Sequence, residues 1–126
     1  MKAVDFLQKH SAVEKVFHGS LTYRERTSPE WLMGYGSVIS FTLISGGLES
    51  LRLFYDQLPV PLLKAPTLGS NQTLVCPYAL LAHYHEPPSF FEHHSIPRHL
   101  VRLAVGCKED LDPVFAALDQ GLNQIL

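Results

Sequence analysis

Arg102 is set among residues that suit it to binding a small anion. It lies in the run from residue 100 to 106, whose side chains alternate as in a strand. The alternation predicts two faces, with Val101, Leu103 and Val105 buried on one and Leu100, Arg102 and Ala104 on the other. A guanidinium held on a stiff strand, away from the core, is suited to a bidentate grip on a carboxylate. A solvated arginine on an exposed sheet face gives the same pattern, and the pattern alone favours that simpler interpretation.

A histidine-rich stretch suggests a second kind of chemistry, metal binding. The candidate ligands are His83, His85, His93 and His94, with Glu86 and Glu92 close by in sequence. Imidazole nitrogens and carboxylates at this density are typical ligands of zinc or nickel. No cysteine joins the set, so the stretch is better explained as a polar, exposed loop that is rich in histidine by chance. Some of these histidines could instead line the mouth of a neighbouring active site.

Composition and charge argue against several classes of function. With 126 residues, the chain is long enough for one domain with its own core, which we assign to residues 1–126. A net charge of −2 gives no electrostatic basis for binding nucleic acid or an anionic membrane. No apolar run is long enough to span a bilayer, and the N-terminus lacks the apolar block of a signal peptide. We therefore expect a cytoplasmic protein, in which Cys76 and Cys107 are buried thiols without a disulfide or a metal.

The hydrophobic pattern predicts the elements that would position these residues. In chain order they are helix 1–10, strand 13–17, loop 19–30, strand 38–43, helix 48–58, extended segment 62–67, strand 73–76, helical turn 78–84, loop 86–97, strand 100–105 and helix 110–125. Ser45 is the predicted cap of the helix that follows it. This order of elements favours an α+β domain, a small and mostly antiparallel sheet with helices packed on one face.

Two helices are predicted to bury a stripe of side chains, and one segment is predicted to lack regular structure. The inward residues of helix 48–58 are Leu48, Leu51, Tyr55 and Leu58. Those of helix 110–125 are Leu111, Val114, Phe115, Leu118, Leu122 and Ile125. Segment 86–97 is assigned as a loop because Pro87, Pro88 and Pro97 interrupt it.

Several motifs match a known family in order and spacing. Thr67-Leu68-Gly69 stands where that family has S-L-G, Gln72 begins its E-S-L, and His83 falls on the histidine of M-T-H. The run 100–106 matches L-V-R-L-S-V-G with one change, and the spacing from Thr67 to Arg102 needs no gap. Upstream, residues 34–41 resemble G-[FY]-G-G-M-L-S-F. Together the motifs resemble the C-terminal domain of the Cys/Met-metabolism (trans-sulfuration) enzymes, which depend on pyridoxal 5'-phosphate (PLP). They include cystathionine gamma-synthase, gamma-lyase and beta-lyase and methionine gamma-lyase.

The resemblance implies a function and a set of site residues. It implies the small C-terminal domain of a fold-type I PLP enzyme that acts on a sulfur amino acid and assembles as a homotetramer. Arg102 would bind the α-carboxylate of the substrate, with Thr67 assisting, and Gln72 and His83 would lie at the rim of the active site. Pro66 stands where several members have glutamate or valine, and Gln72 replaces a glutamate. These departures bear on the choice of substrate more than on the fold.

The same resemblance implies that part of the family's machinery is missing from this chain. Its lysines are Lys2, Lys9, Lys15, Lys64 and Lys108, and none has the family's S-x-T-K-type setting. We therefore expect the large domain that binds PLP in the family to be absent from this chain, which would be a fragment inactive by itself. A stand-alone, catalytically dead interaction module is an alternative, and a histidine-loop metal binder is a less favoured one. Synthase, gamma-lyase and beta-lyase reactions on cystathionine, O-acyl homoserine or methionine are all compatible with these motifs.

Overall fold

One five-stranded sheet forms the centre of the computed structural model, which describes residues 2–23, 29–44 and 47–126. The strands are β1 Val13–Phe17, β2 Val38–Leu43, β3 Leu63–Lys64, β4 Leu74–Cys76 and β5 Val101–Ala104. Their order across the sheet is β1-β2-β5-β4-β3, with β3 parallel to β4 and every other pair antiparallel. The predicted α+β fold with a mostly antiparallel sheet is confirmed.

Six helices are found in the described residues. They are α1 Lys2–Lys9, α2 Gly19–Thr22, α3 Leu48–Asp56, α4 Tyr78–Ala82, α5 Pro88–His93 and α6 Leu111–Asn123. None of these helices has the length and apolar character that a bilayer crossing requires. The predicted cap Ser45 and residues 24–28 of the predicted loop 19–30 lie outside the described residues.

The core lies between one face of the sheet and the three longer helices. Every second residue of the central strands points to it, so Ile39, Phe41, Val75, Val101 and Leu103 are all fully buried. The helices contribute Val4, Leu7, Leu51, Phe54, Val114, Leu118 and Leu122. Full burial of one such side chain stabilises a fold by about 1.5–3 kcal/mol. This packing fixes which face of β5 is turned away from the core.

The opposite face of the sheet is partly covered and partly open. The register of β2, β5 and β4 places Ser40, Arg102 and Cys76 side by side on this face. Arg102 is half-buried, whereas Ala104 and Cys76 beside it are buried. Val105, predicted to be buried, is only half-buried because β5 ends at Ala104. The prediction that Arg102 faces away from the core is therefore confirmed, with closer surroundings than a solvated arginine would have.

The segment predicted as loop 86–97 contains a helix, α5. Pro87 is its N-cap and Pro88 its first residue. A proline costs no hydrogen bond there, because the first N–H groups of a helix have no partner within the helix. The loop prediction was wrong because it treated these prolines as breakers when they begin a helix.

The buried stripes of α3 and α6 differ in detail from the prediction. Leu48 is 41% exposed, while Phe54, which was not predicted, is fully buried and meets Phe41 edge-to-face at 5.9 Å between ring centroids. Of the stripe predicted for helix 110–125, Leu111 and Phe115 are half-buried, and so is Ile125, which lies beyond the end of α6. The buried set gains Ala117 and Gly121. A Cβ at Gly121 would lie 2.6 Å from Cδ2 of Leu58, so the glycine allows the segment after α3 to approach α6 closely.

Candidate functional site

Arg102 is held by two other segments of the chain. It lies at the centre of the sheet, where β5 is flanked by β2 and β4. Its Nη2 donates a hydrogen bond to the carbonyl oxygen of Pro66, just beyond β3. Its guanidinium carbon lies 4.2 Å from the centroid of the Tyr78 ring, at the start of α4. The guanidinium is therefore constrained by a hydrogen bond in its own plane and by an aromatic ring, an attractive arrangement for a cation.

The charge of this guanidinium is not neutralised by its described neighbours. Cys76 is its direct partner across the sheet, and burial raises the pKa of the Cys76 thiol, with Arg102 opposing that rise. The thiol is therefore protonated at neutral pH and carries no counter-charge. No carboxylate in the described ranges forms an ion pair with Arg102. A fork of N–H donors with a net positive charge is suited to binding an anionic ligand.

The loop that carries Thr67 is fixed to the turn after β5. Thr73, at the end of this loop, is buried and donates its backbone N–H to the carboxylate of Glu109. Its hydroxyl accepts the backbone N–H of Gly106 at 3.0 Å. A Cβ at Gly106 would lie 2.4 Å from the carbonyl oxygen of Asn71, so the absence of a side chain allows the two segments to touch. The far end of the loop is held by Arg102 at Pro66.

Of the other predicted site residues, Thr67 is the one next to a residue that Arg102 contacts. It is exposed and follows directly the residue whose carbonyl Arg102 holds. Gln72 is exposed on the same loop, and its backbone N–H donates to Oγ of Ser70 at 3.1 Å. His83 ends α4, and its described ring contacts are with Phe90 and Phe91, at 4.7 and 6.2 Å between centroids. The structure thus groups Arg102 with the Thr67 loop and places His83 in a separate aromatic cluster.

The remaining histidines of the predicted metal set also pack on neighbouring groups. His94 contacts the Phe90 ring at 4.3 Å, and its Nδ1 lies 2.9 Å from the Phe90 carbonyl oxygen. The ring of His85 lies edge-on to Tyr84 at 5.1 Å. Within the described residues no three His, Cys, Asp or Glu side chains are grouped as metal ligands. The metal-binding alternative is therefore not favoured.

One prediction about the cysteines was wrong. Cys76 is buried in β4 as predicted, but Cys107 is exposed. Cys107 lies beyond the end of β5, in the turn that contacts the Thr67 loop, and its thiol donates to Oδ1 of Asn71 at 3.5 Å. The apolar run of β5 ends before this residue, so burial does not extend to it.

Sequence reasoning also missed two of the groups that hold Arg102. Tyr78 lies two residues after Cys76, the residue paired with Arg102, and this spacing is the signal that could have identified it. The carbonyl oxygen of Pro66 is a backbone group, so the residue type gives no signal for it. Only the position of β3 beside β4 brings that carbonyl to the arginine.

The lysines of the described chain do not form a PLP site. A PLP enzyme needs a lysine for the Schiff base and an acid for the pyridine nitrogen. All five lysines are exposed, and Lys15 and Lys64 lie over the rings of Phe17 and Tyr55 at 5.0 and 4.9 Å. Lys2 lines a cavity of about 320 Å³, but no described acidic residue lines it as well. The described residues therefore do not fit the cofactor.

Comparison with known proteins identifies the family. The family model for the "Cys/Met metabolism PLP-dependent enzyme" matches residues 1–123. An L-methionine gamma-lyase of Fusobacterium nucleatum is 35% identical over 97% of this chain and 31% of its own length. A cystathionine gamma-synthase of Saccharomyces cerevisiae is 33% identical over 84% of this chain and 17% of its own length.

A solved structure agrees with the sequence relatives. The structure of cystathionine gamma-lyase from Lactobacillus plantarum complexed with L-serine matches with a TM-score of 0.79 and 28% identity, over 98% of this chain and 32% of that chain. The present chain thus spans less than a third of each of these three proteins. Because the family model matches nearly every residue, the chain belongs to the family of PLP-dependent enzymes of cysteine and methionine metabolism.

Proposed function

We propose that this chain is the substrate-side C-terminal domain of a PLP-dependent enzyme that performs elimination or replacement at the β or γ carbon of a sulfur amino acid. The observation that carries the proposal is the setting of Arg102, at the position of the family's L-V-R-L motif. It is a half-buried guanidinium, fixed by Pro66 and Tyr78, without a carboxylate partner in the described chain. The relatives' names, cystathionine gamma-synthase and L-methionine gamma-lyase, support the substrate class.

The role proposed for this chain is to bind and orient the substrate. Arg102 binds the α-carboxylate through its N–H donors, and the exposed hydroxyl of Thr67 assists from the adjoining loop. Gripping the carboxylate fixes the substrate, and so aligns the bond to be broken, which is a gain in proximity and orientation. Gln72, exposed on the same loop, lies at the rim. His83 is the second proposed rim residue. It follows α4, where its ring packs against Phe90 and not against the Thr67 loop.

We propose that the cofactor is held outside this chain. When bound, PLP supplies the electron sink that such eliminations and replacements need. Since the described lysines are all exposed and unsuited to the Schiff base, the cofactor lysine would come from a large domain that this chain accompanies. The chain would then be inactive by itself and would work in a cytoplasmic homo-oligomer, as members of the family typically do.

The proposal is tested by two substitutions in the PLP-loaded enzyme that includes this chain. Arg102→Ala is expected to cost roughly 2–5 kcal/mol in kcat/KM, the range for losing one partner of a buried charged pair. Arg102→Lys should recover only part of this loss, because an ammonium group cannot reproduce the planar fork. Thermal unfolding of both variants should stay near that of the wild type, since the side chain faces away from the core.

Substrate analogues provide the matched control for the same enzyme. An amino acid amide lacks the carboxylate charge, so it should react poorly with the wild-type enzyme and lose little further rate in Arg102→Ala. Wild-type kcat/KM in Arg102→Ala with the amino acid substrate would show that Arg102 does not bind the carboxylate.

A further inference from the structure

We propose that Tyr78 is a positioning residue for the carboxylate site, setting the plane in which Arg102 presents its donors. The inference rests on the proposed function of Arg102 and adds the residue that orients it. Tyr78 touches neither the substrate nor the reacting atoms in this proposal. It acts through the guanidinium, whose carbon lies 4.2 Å from the centroid of its ring.

The local chain path brings Tyr78 over Arg102. Cys76, the last residue of β4, is paired with Arg102 across the sheet. Pro77 follows as the N-cap of α4, with φ −77° and ψ 68°, so the chain leaves the strand at once. Tyr78 is then the first residue of α4, placed on the face of the sheet that carries the guanidinium. The contact is therefore built by the junction between β4 and α4.

Two restraints of different kind act on the same guanidinium. The hydrogen bond to Pro66 lies in the guanidinium plane and fixes one terminal nitrogen. The Tyr78 ring acts on the guanidinium as a cation–π partner and restrains the tilt of that plane. An arginine side chain otherwise has many rotamers, and fixing them before binding removes an entropy loss that the ligand would have to offset. The donors not engaged by Pro66 are thus directed before the substrate arrives.

Tyr78 is not part of the buried core. The side chain is 43% exposed, and the buried residue of α4 is its neighbour Ala79. No hydrogen bond of the Tyr78 hydroxyl is found in the described part of the chain. Among aromatic and cationic groups, the described partner of the ring is Arg102. The aromatic face, and not the hydroxyl, is therefore the functional part of the residue.

The direct test measures Arg102 itself by NMR in the 126-residue chain. The side-chain Nε–Hε resonance of Arg102, identified by its loss in Arg102→Lys, should show the ring-current shift of a proton close to an aromatic face. Tyr78→Phe should keep this shift, because it keeps the ring. Tyr78→Leu should lose it while retaining a large apolar side chain. Tyr84→Ala is the matched control, since Tyr84 is 75% exposed and packs on His85.

The functional test separates the effect on KM from that on kcat in the PLP-loaded enzyme. Tyr78→Leu is expected to raise KM by about two- to fivefold, the size expected for one exposed cation–π contact, with kcat little changed. Tyr78→Phe should restore KM to the wild-type value, which loss of stability alone would not explain. Melting curves identify any variant that fails to fold; if Tyr78→Leu does, Tyr78→Met replaces it in both measurements, with Tyr78→Phe still the control.

The outcomes distinguish this inference from the function on which it rests. An unchanged KM in Tyr78→Leu, whether or not the Arg102 resonance moves, together with a large loss in Arg102→Ala, would overturn the role of Tyr78 and leave that of Arg102 standing. No loss in Arg102→Ala would overturn the carboxylate site, and the positioning role with it. A raised KM in Tyr78→Leu that Tyr78→Phe does not rescue would also overturn the inference, since it would assign the effect to the hydroxyl.

Discussion

Cys76 and Cys107 differ because one lies within the sheet and the other beyond its end. Cys76 is buried in β4 opposite Arg102, and burial raises the pKa of its thiol. Cys107 is exposed in the turn that contacts the Thr67 loop. The ionised form of Cys76 is therefore disfavoured in the folded chain. The thiol loses its proton at a lower pH in the unfolded chain than in the folded one, so its ionisation is linked to stability.

Stability should fall in alkaline solution because of Cys76. An unfolded thiol has a pKa of about 8.5, whereas burial raises the pKa of folded Cys76. The unfolded chain therefore loses its proton first, so the stabilisation is complete below about pH 8.5 and decreases as the pH rises towards the folded pKa. Cys76→Ala should reduce the slope of the melting temperature between about pH 8 and pH 10, and Cys107→Ala should keep it. Equal slopes in both variants would contradict the assignment. Tyr55, whose pKa is raised first by burial and then by the charge of Cys76, is present in both variants, and losing that charge in Cys76→Ala changes the slope in the same direction.

The alternating sequence pattern predicted on which face of the sheet Arg102 lies, but it did not predict which groups Arg102 contacts. The strand pattern of 100–105 correctly turned this residue away from the core, because a period of two depends only on neighbours along the strand. The contact with Pro66 joins residues 36 positions apart. Such a contact depends on strand order and register, which the local pattern does not contain. The aromatic contact with Tyr78 was missed for the same reason.

At the scale of elements, the loop 66–73 is the part of the site that most depends on its supports. At one end, Arg102 donates a hydrogen bond to the Pro66 carbonyl oxygen. At the other end, Glu109 and Gly106 form hydrogen bonds with Thr73. These supports come from β5 and the turn that follows it, so one stretch of chain fixes both the arginine and the loop. The family motif matches residues 100–106 of this stretch, but it did not predict that Gly106 and Glu109 would serve as supports.

Gly106→Ala should destabilise the chain by roughly 1–3 kcal/mol, the usual cost of overpacking. Its Cβ would lie 2.4 Å from the Asn71 carbonyl oxygen and 2.6 Å from the Gln72 carbonyl carbon, and these backbone atoms cannot rotate away. Gly34→Ala is the control, because nothing lies within 4 Å of a Cβ there. Urea unfolding measures both changes, and an equal effect of the two substitutions would show that the close approach is not required.

Glu109→Ala should loosen the same loop by removing the carboxylate that accepts the Thr73 N–H. Thr73 is buried, so its N–H group would be left without a partner, at a cost of about 1–3 kcal/mol. Glu109→Gln retains an acceptor oxygen of the same reach and should be milder. Hydrogen exchange at the Thr73 amide reports this directly, with fast exchange expected in the alanine variant and slower exchange in the glutamine variant. Unchanged protection in Glu109→Ala would argue against this support.

At the scale of the whole molecule, exposed apolar side chains suggest a surface at which chains associate. Trp31 is 78% exposed and Met33 is 100% exposed, both in the segment before β2. Large apolar patches on a protein surface usually mark a site of association. We expect the isolated chain to self-associate, as measured by sedimentation velocity. The double variant Trp31→Ser, Met33→Ser should shift it towards the monomer, and Val60→Ser, at a residue 83% exposed, should not.

The isolated chain should not form an internal aldimine with PLP or turn over cystathionine. Its five lysines are exposed, and an exposed lysine lacks the enclosed site in which a Schiff base forms and is protected from water. Absorbance after dialysis against PLP-free buffer tests this expectation. A persistent visible band that disappears when one of these lysines is substituted would contradict it.

The order of strands across the sheet also determines when the protein can fold during its synthesis. β5 is the last of the five strands along the chain, yet it is the one that joins β2 to β4 at the centre of the sheet. Until the ribosome has released it, β2 and β4 have no partner between them, and the apolar faces of Phe41 and Val75 have little to pack against. Contacts between residues far apart in sequence form slowly, so nascent chains that stop before β5 should remain open to proteases and to chaperones. The residue proposed to recognise the substrate lies on the strand that completes the sheet.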